Sequence, residues 1–344
     1  MMQNYVDFIL EETKKILDID SPTGFTGNVA DFVMEEYERL GYSPVKTEKG
    51  GVLIDLGGEE RENAILLESH IDTLGGMVAE VKANGRLRLT PLGGMNPNNG
   101  ETENCRIITR EGRIYEGTFQ LNNASIHVNG DYDDTKRKFD CMEVVIDEKT
   151  ASREETLALG ILEGDIVAFE PRTRVTESGY IKSRFLDDKL GVGIFLGFAK
   201  YLKDQDITSK RRIYQHITVY EEVGHGACGT VPENTTEVLS VDMGCVGDGL
   251  QCTERQVSIC AKDSRGPYNY EMVSGLIRAA KEQDIDFAVD VYPHYGSDAD
   301  AALQAGHDVR HGLIGPGIYA SHGYERSHVD GVQNTIKLLC AYLL

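Results

Sequence analysis

The stretch Ile213-Tyr214-Gln215-His216-Ile217-Thr218-Val219-Tyr220-Glu221-Glu222-Val223-Gly224 sets the reading of the whole chain. Residues 213–220 are rich in apolar and β-branched side chains and read as a strand. Two adjacent carboxylates follow at its C-terminal end. Neighbouring strand residues point to opposite faces, so Glu221 and Glu222 are expected to do different work. One would bind a metal, and the other, turned by the bend at Gly224, would act as a base. The same residues also fit a solvated acidic turn, and the local sequence does not choose which glutamate takes which role.

Outward from this stretch the chain alternates between helix and strand. Residues 4–17 have helical periodicity, with Val6, Ile9, Leu10 and Ile16 on one face. Thr26 is placed to cap a second helix running to about Leu40, and Gly41 ends it. Residues 52–56 and 64–68 then read as strands. After Asp72 the texture changes. From about Val78 to Val175 come short strand-like runs, 86–89, 106–109, 142–146 and 165–169, with a short helix at 153–159. This is a compact, barrel-like β unit, and Gly75-Gly76 is expected to turn the chain into it. Helix–strand alternation resumes with a glycine-spaced helix at 188–201. Strands follow at 213–220, 237–242, 256–261, 287–292 and 307–313, and helices at 268–283, 298–304 and 328–343. The predicted fold class is α/β: a mixed sheet flanked by helices over residues 1–75 and 179–344, interrupted by an inserted β-rich domain over 76–178.

Composition narrows the function. The 344 residues carry a formal charge of −21, which argues against nucleic acid and anionic membranes as partners but not against divalent cations. There is no apolar run long enough to span a bilayer and no leader-like pattern in the first ten residues. The seven cysteines are an odd number without a CxxC pair and read as reduced thiols of a cytoplasmic protein.

Metal-type residues recur at strand ends. His70-Ile71-Asp72 follows the strand at 64–68, and Asp72 is placed to accept a hydrogen bond from the ring nitrogen of His70 that is not on a metal. Asp187-Asp188 precedes the glycine-spaced helix, which Asp188 is free to cap. Asp242 ends a strand, and His322 lies before the last helix. In open α/β sheets ligands gather at the carboxyl ends of strands, where His70, Asp187, Glu222, Asp242 and His322 are expected to converge. Two histidines and three carboxylates suit two divalent ions with one carboxylate bridging. Such N and O donors favour zinc, cobalt or manganese. Glu221 would take a proton from the activated water and pass it to the leaving amine.

These residues carry a resemblance. His70-x-Asp72 with Gly75-Gly76, Pro91-Leu92-Gly93-Gly94, Asp187-Asp188-Lys189-x-Gly191, Glu221-Glu222-Val223-Gly224, Asp242, Gly296-Ser297-Asp298-Ala299 and His322 occur in the order of the M42 family. The chain resembles that family of dinuclear metallo-aminopeptidases over nearly its whole length. The resemblance implies a phosphorylase/hydrolase-like catalytic domain with a β-rich insert and two divalent metal ions, zinc first, cobalt or manganese otherwise. It makes His70 and Glu222 ligands of one ion, Asp242 and His322 ligands of the other, and Asp187 the bridge. Glu221 becomes the general base and Asp72 the residue that orients His70. The substrate would be a peptide, and the protein a homo-oligomer, in the family commonly a dodecamer built from dimers. Two segments depart from the family pattern: Gly224-His225-Gly226-Ala227 replaces Gly-Leu-Arg-Gly, and His322-Gly323-Tyr324 replaces His-Ser-Pro. The pocket that reads the substrate is therefore expected to differ.

Several residues stay open between functional and structural roles. His127, His225 and His328 are candidates for the pocket. Arg265 and Arg326 are candidates for a substrate carboxylate, and Asp298 either orders the pocket floor or caps its short helix. Cys228 and Cys245 read as packed thiols. The competing functions are an amidohydrolase or deacylase acting on one small N-acyl amide with the same metals, and a non-enzymatic oligomeric scaffold. A carboxylate-pair glycosidase explains neither His70 nor His322.

Overall fold

The computed structural model describes residues 2–344. The chain forms two compact units, one from the chain up to Asp72 together with Arg172–Leu344, the other from Thr73–Pro171. The larger unit resumes before residue 179, because Arg174–Val175 pairs with Tyr180–Ser183, which in turn pairs with Glu325–His328.

The larger unit is built on one twelve-stranded mixed sheet. Four parallel strands form its middle, in the order Arg211–Thr218, Glu60–His70, Thr235–Val241 and Arg310–Tyr319. Residues 64–70 are buried without a break, as a parallel strand covered on both faces requires. His70 lies opposite Thr218, Glu68 opposite Ser240, and Val241 opposite Ile314. This register brings the carboxyl ends of the four strands out side by side. Antiparallel strands complete the sheet: Val52–Gly57 at one side, Glu325–His328 and Tyr180–Ser183 at the other, and Val257–Lys262 against Arg310–Tyr319.

The helix Leu186–Asp204 is buried over most of its length and packs on the helix Met2–Leu17 and on the strand Glu60–His70. The helix Met2–Leu17 presents Val6, Ile9, Thr13 and Ile16 at helical spacing. Close approach explains the glycines of its partner. A Cβ at Gly193 would overlap Thr13 Oγ1, and one at Gly197 would overlap the Ile9 side chain. Thr26 stands at the N-cap of Gly27–Arg39 as expected, but its backbone (φ −114°, ψ 2°) is not extended and its side chain makes no capping hydrogen bond.

The smaller unit is a closed antiparallel barrel. Its strands run in the order Gly75–Val81, Leu87–Leu92, Met142–Ile146, Ile114–Leu121, Asn104–Ile108 and Ile166–Phe169, and the last pairs with the first. Val78, Leu89, Ile107, Phe119, Val144 and Phe169 fill it, with Phe119 and Phe169 edge to face at 5.5 Å. Gly75 and Gly76 do not make the expected turn. They open the first barrel strand, where a Cβ at Gly76 would come within 2.8 Å of Leu89 Cδ1. No described helix is long and apolar enough to cross a membrane.

Candidate active site

The strand Arg211–Thr218 stops two residues short of Tyr220. Tyr220 is left-handed (φ 69°), Glu221–Val223 forms a single 3-10 turn, and Gly224 follows at φ 84°. The two glutamates are therefore separated by a helical step of roughly 120°, not by the strand alternation expected. The side chain of Glu221 is 15 % exposed and that of Glu222 is 4 % exposed, which excludes a solvated acidic turn. Backbone strain recurs beside the other site segments. Phe185, two residues before Asp187, and His322 itself are left-handed, at φ 67° and 61°. Non-glycine residues held there cost on the order of 1–3 kcal/mol each and persist where the surroundings fix them.

His70 ends its strand fully buried. Its Nδ1 lies 2.9 Å from the main-chain oxygen of Asp72. A carbonyl can only accept, so Nδ1 carries the proton and Nε2 faces the cluster. The tautomer is thus set by the backbone of Asp72, not by its carboxylate as expected; the nearer carboxylate oxygen is 3.7 Å away. The Asp72 carboxylate instead accepts from the Glu221 backbone N–H at 3.1 Å and from Thr23 Oγ1 at 2.7 Å. It thereby fixes the start of the glutamate turn.

Asp187 faces both histidines. Its Oδ1 is 3.2 Å from His70 Nε2, and its Oδ2 is 3.5 Å from His322 Nε2. Asp188 accepts from Ser69 Oγ, from the His70 N–H at 3.3 Å and from the Gly191 N–H at 3.2 Å, with its carboxylate still near the donors of His70 and Asp242. The Gly191 contact caps the helix that follows. Among the described residues two groups can each close on one cation: His70, Asp188 and Asp242, and Asp187, Glu222 and His322. This grouping differs from the expected partition. His70 goes with Asp242, and Glu222 goes with His322, 3.7 Å from its Nε2. Asp242 is held by its N–H to Ile314 O at 3.0 Å, and Gly315 leaves no Cβ to strike its carbonyl.

Burial and mutual charge act on every acid here. Burial, with the charges of Asp242, Asp298 and Glu222, outweighs the opposing charge of His70 and leaves Glu221 well above the ordinary carboxyl range. Glu222 is raised likewise by burial and by Asp187, and Asp242 is pushed up to about 7 by burial and Asp187. Burial would pull His70 down, but the hydrogen bond its ring donates to Asp187 and the charges of Glu221, Asp242 and Asp72 outweigh it and hold it well above its usual value. Buried carboxylates this close are costly unless cations compensate them. Two divalent ions would do so, and the nitrogen and oxygen donors present suit them. The residues fit a dinuclear metal centre.

Glu325, His294, Tyr295 and Gln304 were not singled out from the sequence. Glu325 accepts from the Asp187 N–H at 3.1 Å and from the His322 N–H at 3.0 Å. Asp298 accepts from Thr218 Oγ1 and from the Ala227 N–H at 2.8 Å, so it ties down the loop after the glutamates; Ser297 and Asp300 cap the short helix instead. A cavity of about 460 Å³ opens over the cluster, walled in part by Arg265, His294, Tyr295 and Gln304. The Gly296–Ala299 segment marked that wall, but nothing distinguished Tyr295 or Gln304. His225 stacks on Tyr220 at 5.2 Å, outside the cavity. His328 bonds Ser178 O at 2.8 Å and caps the last helix. His127 sits exposed in the barrel unit.

The chain matches the family model for M42 glutamyl aminopeptidases over residues 50–338. It is 42% identical over 334 residues to "Putative aminopeptidase YhfE" of Bacillus subtilis (strain 168), covering 97% of this chain and 96% of that one. Its fold is that of a TET aminopeptidase from a marine sediment archaeon, with a TM-score of 0.88 at 22% identity over 97% and 95% of the two chains. It is also that of the Pyrococcus horikoshii TET1 peptidase, which assembles into a tetrahedron or a large octahedral shell, with a TM-score of 0.85 at 22% identity over 97% and 98%.

Proposed function

The chain belongs to the M42 family of metal-dependent aminopeptidases, and from that premise we propose that Glu221 moves the proton while His70, Asp187, Glu222, Asp242 and His322 hold two ions. The observation that carries this reading is Asp187, whose two oxygens face His70 and His322 and so suit a bridge between the two groups. Zinc is the proposed metal, with cobalt or manganese compatible with the same donors. When bound, the ions supply Lewis acidity to the scissile carbonyl and lower the pKa of a water.

The chain's own residues do the rest. Glu221 belongs to neither three-donor group, so its carboxylate is left to accept a proton from the attacking water. It then returns that proton to the departing amine. Its raised affinity for a proton suits both steps near neutral pH. Asp72 places it by accepting from its backbone N–H, and the Asp72 carbonyl keeps His70 Nε2 turned toward the cluster. The acidic cavity wall complements the ammonium of a peptide N-terminus. The fold shared with TET1 supports a homo-oligomer, for which we propose a dodecamer built from dimers. The seven free cysteines support a reducing, cytoplasmic setting.

Glu221→Gln tests the assignment. It is expected to retain two ions per chain by elemental analysis and to lower kcat on aminoacyl anilides by roughly 10²–10⁴-fold. Loss of one ion with the substitution would make Glu221 a ligand instead.

A further inference from the structure

Six carboxylates line the cavity: Asp187, Glu221, Glu222, Asp242, Asp298 and Asp300. Arg265 is the guanidinium on its wall. Among the described residues no carboxylate pairs with it, although acids surround the space it borders. An unneutralised guanidinium there works against both the metal ions and a substrate ammonium, so its presence calls for an anion that arrives with the substrate.

The base of Arg265 is rigid. Asp263, fully buried, accepts from the Arg265 N–H at 2.8 Å and the Gly266 N–H at 3.2 Å through Oδ1, and from Tyr268 OH at 2.7 Å through Oδ2. Ser264 is stitched to Tyr295: its N–H donates to Tyr295 O at 3.2 Å, and its Oγ accepts from the Tyr295 N–H at 3.1 Å. The arginine turn and the wall segment Tyr295-Gly296 therefore hold one geometry. Gly296 lies beside the Arg265 side chain, where a Cβ would stand 3.6 Å from Nε, and both residues line the cavity.

Resting on the aminopeptidase reading above, we propose that Arg265 is the receptor for a substrate carboxylate and sets specificity. Two parts of a peptide offer one. The first is the side chain of an acidic N-terminal residue. The second is the C-terminal carboxylate of a dipeptide, whose two residues place that group a few ångströms beyond the scissile bond.

The test compares kcat/KM for wild type, Arg265→Gln and Arg265→Lys on two substrate pairs. Glutamyl against glutaminyl p-nitroanilide isolates the side chain. Leu-Gly against Leu-Gly amide isolates the C-terminus. Losing a charge-assisted hydrogen bond is expected to lower the carboxylate-to-neutral ratio by about 10- to 100-fold in Arg265→Gln, mainly through KM, with Arg265→Lys recovering part of it. A changed ratio in the anilide pair assigns the acidic side chain, and in the dipeptide pair the C-terminus. Ratios equal to wild type in both pairs overturn the proposal, whether or not overall turnover falls. A wild type that cleaves none of the four overturns the aminopeptidase reading, and this proposal with it. Thermal midpoint and metal content, which a merely structural role would move, are measured on each variant.

Discussion

Glu325→Gln probes how the two ligand segments are joined. In the native chain one carboxylate oxygen accepts from the Asp187 N–H and the other from the His322 N–H, at 3.1 and 3.0 Å. Glutamine nearly matches the shape but keeps one acceptor. Its amide NH2 must face one of the two backbone N–H groups, donor against donor. Leaving a buried donor unsatisfied costs on the order of 1–3 kcal/mol. If about 2 kcal/mol of that appears as displacement of Asp187 or His322, affinity at the group formed by Asp187, Glu222 and His322 falls roughly 30-fold. Affinity at the group containing His70 and Asp242 is expected to fall less. Chelator competition against zinc, read by stoichiometry per chain, separates the two ions. Equal weakening of both, or unchanged affinity with an unchanged thermal midpoint, would refute the idea that Glu325 braces one half of the centre.

Two further expectations concern stability. Gly197→Ala gains up to about 1 kcal/mol of helix propensity but drives a Cβ into Ile9 Cγ1 and Cδ1. With overpacking costing about 1–3 kcal/mol, a net loss near 1 kcal/mol is expected, a fall of roughly 2 °C by calorimetry, and a rise would show that Ile9 yields freely. Glu237 is the pH probe. Burial pushes its carboxyl up, but hydrogen bonds and charge from Arg211 and Arg310 outweigh that and hold it below 4.5. A depressed carboxyl stabilises above its unfolded value and loses that contribution as pH falls through its folded one. Glu237→Gln should therefore unfold at lower denaturant than wild type at neutral pH, with the gap closing below about pH 4.5; a gap constant down to pH 3 would contradict the assignment.

The architecture was readable because its signals are local. Helical spacing at Val6, Ile9 and Ile16, glycine spacing at 191, 193 and 197, and the shift to short runs after Asp72 each report on neighbouring residues. The candidate ligands were readable as residue types near strand ends. Their grouping was not, because it depends on register. His70 and Asp242 belong together through the parallel pairing of Glu60–His70 with Thr235–Val241, and nothing in either segment alone encodes that partner. Asp72 was identified for the right neighbour but the wrong atom, since residue identity does not say whether a carbonyl or a carboxylate turns inward. Glu325 was invisible for a similar reason: its contacts are to backbone N–H groups, which every sequence possesses.

The closed barrel has a consequence for how the larger unit assembles. Gly76 pairs with Val167, so the strands by which the chain enters and leaves the barrel are neighbours. In loop terms roughly ninety residues collapse to almost none. The strand Glu60–His70 must find Arg211–Thr218 across about 140 residues of chain; with the barrel already formed, the effective separation is about fifty. At (3/2)RT ln n, that shortens the search by about 1 kcal/mol of closure entropy. The inserted unit thus acts as a staple in chain order. A short linker from Leu74 to Glu170 would preserve the same closure, which makes the barrel an exchangeable cassette from the standpoint of the sheet.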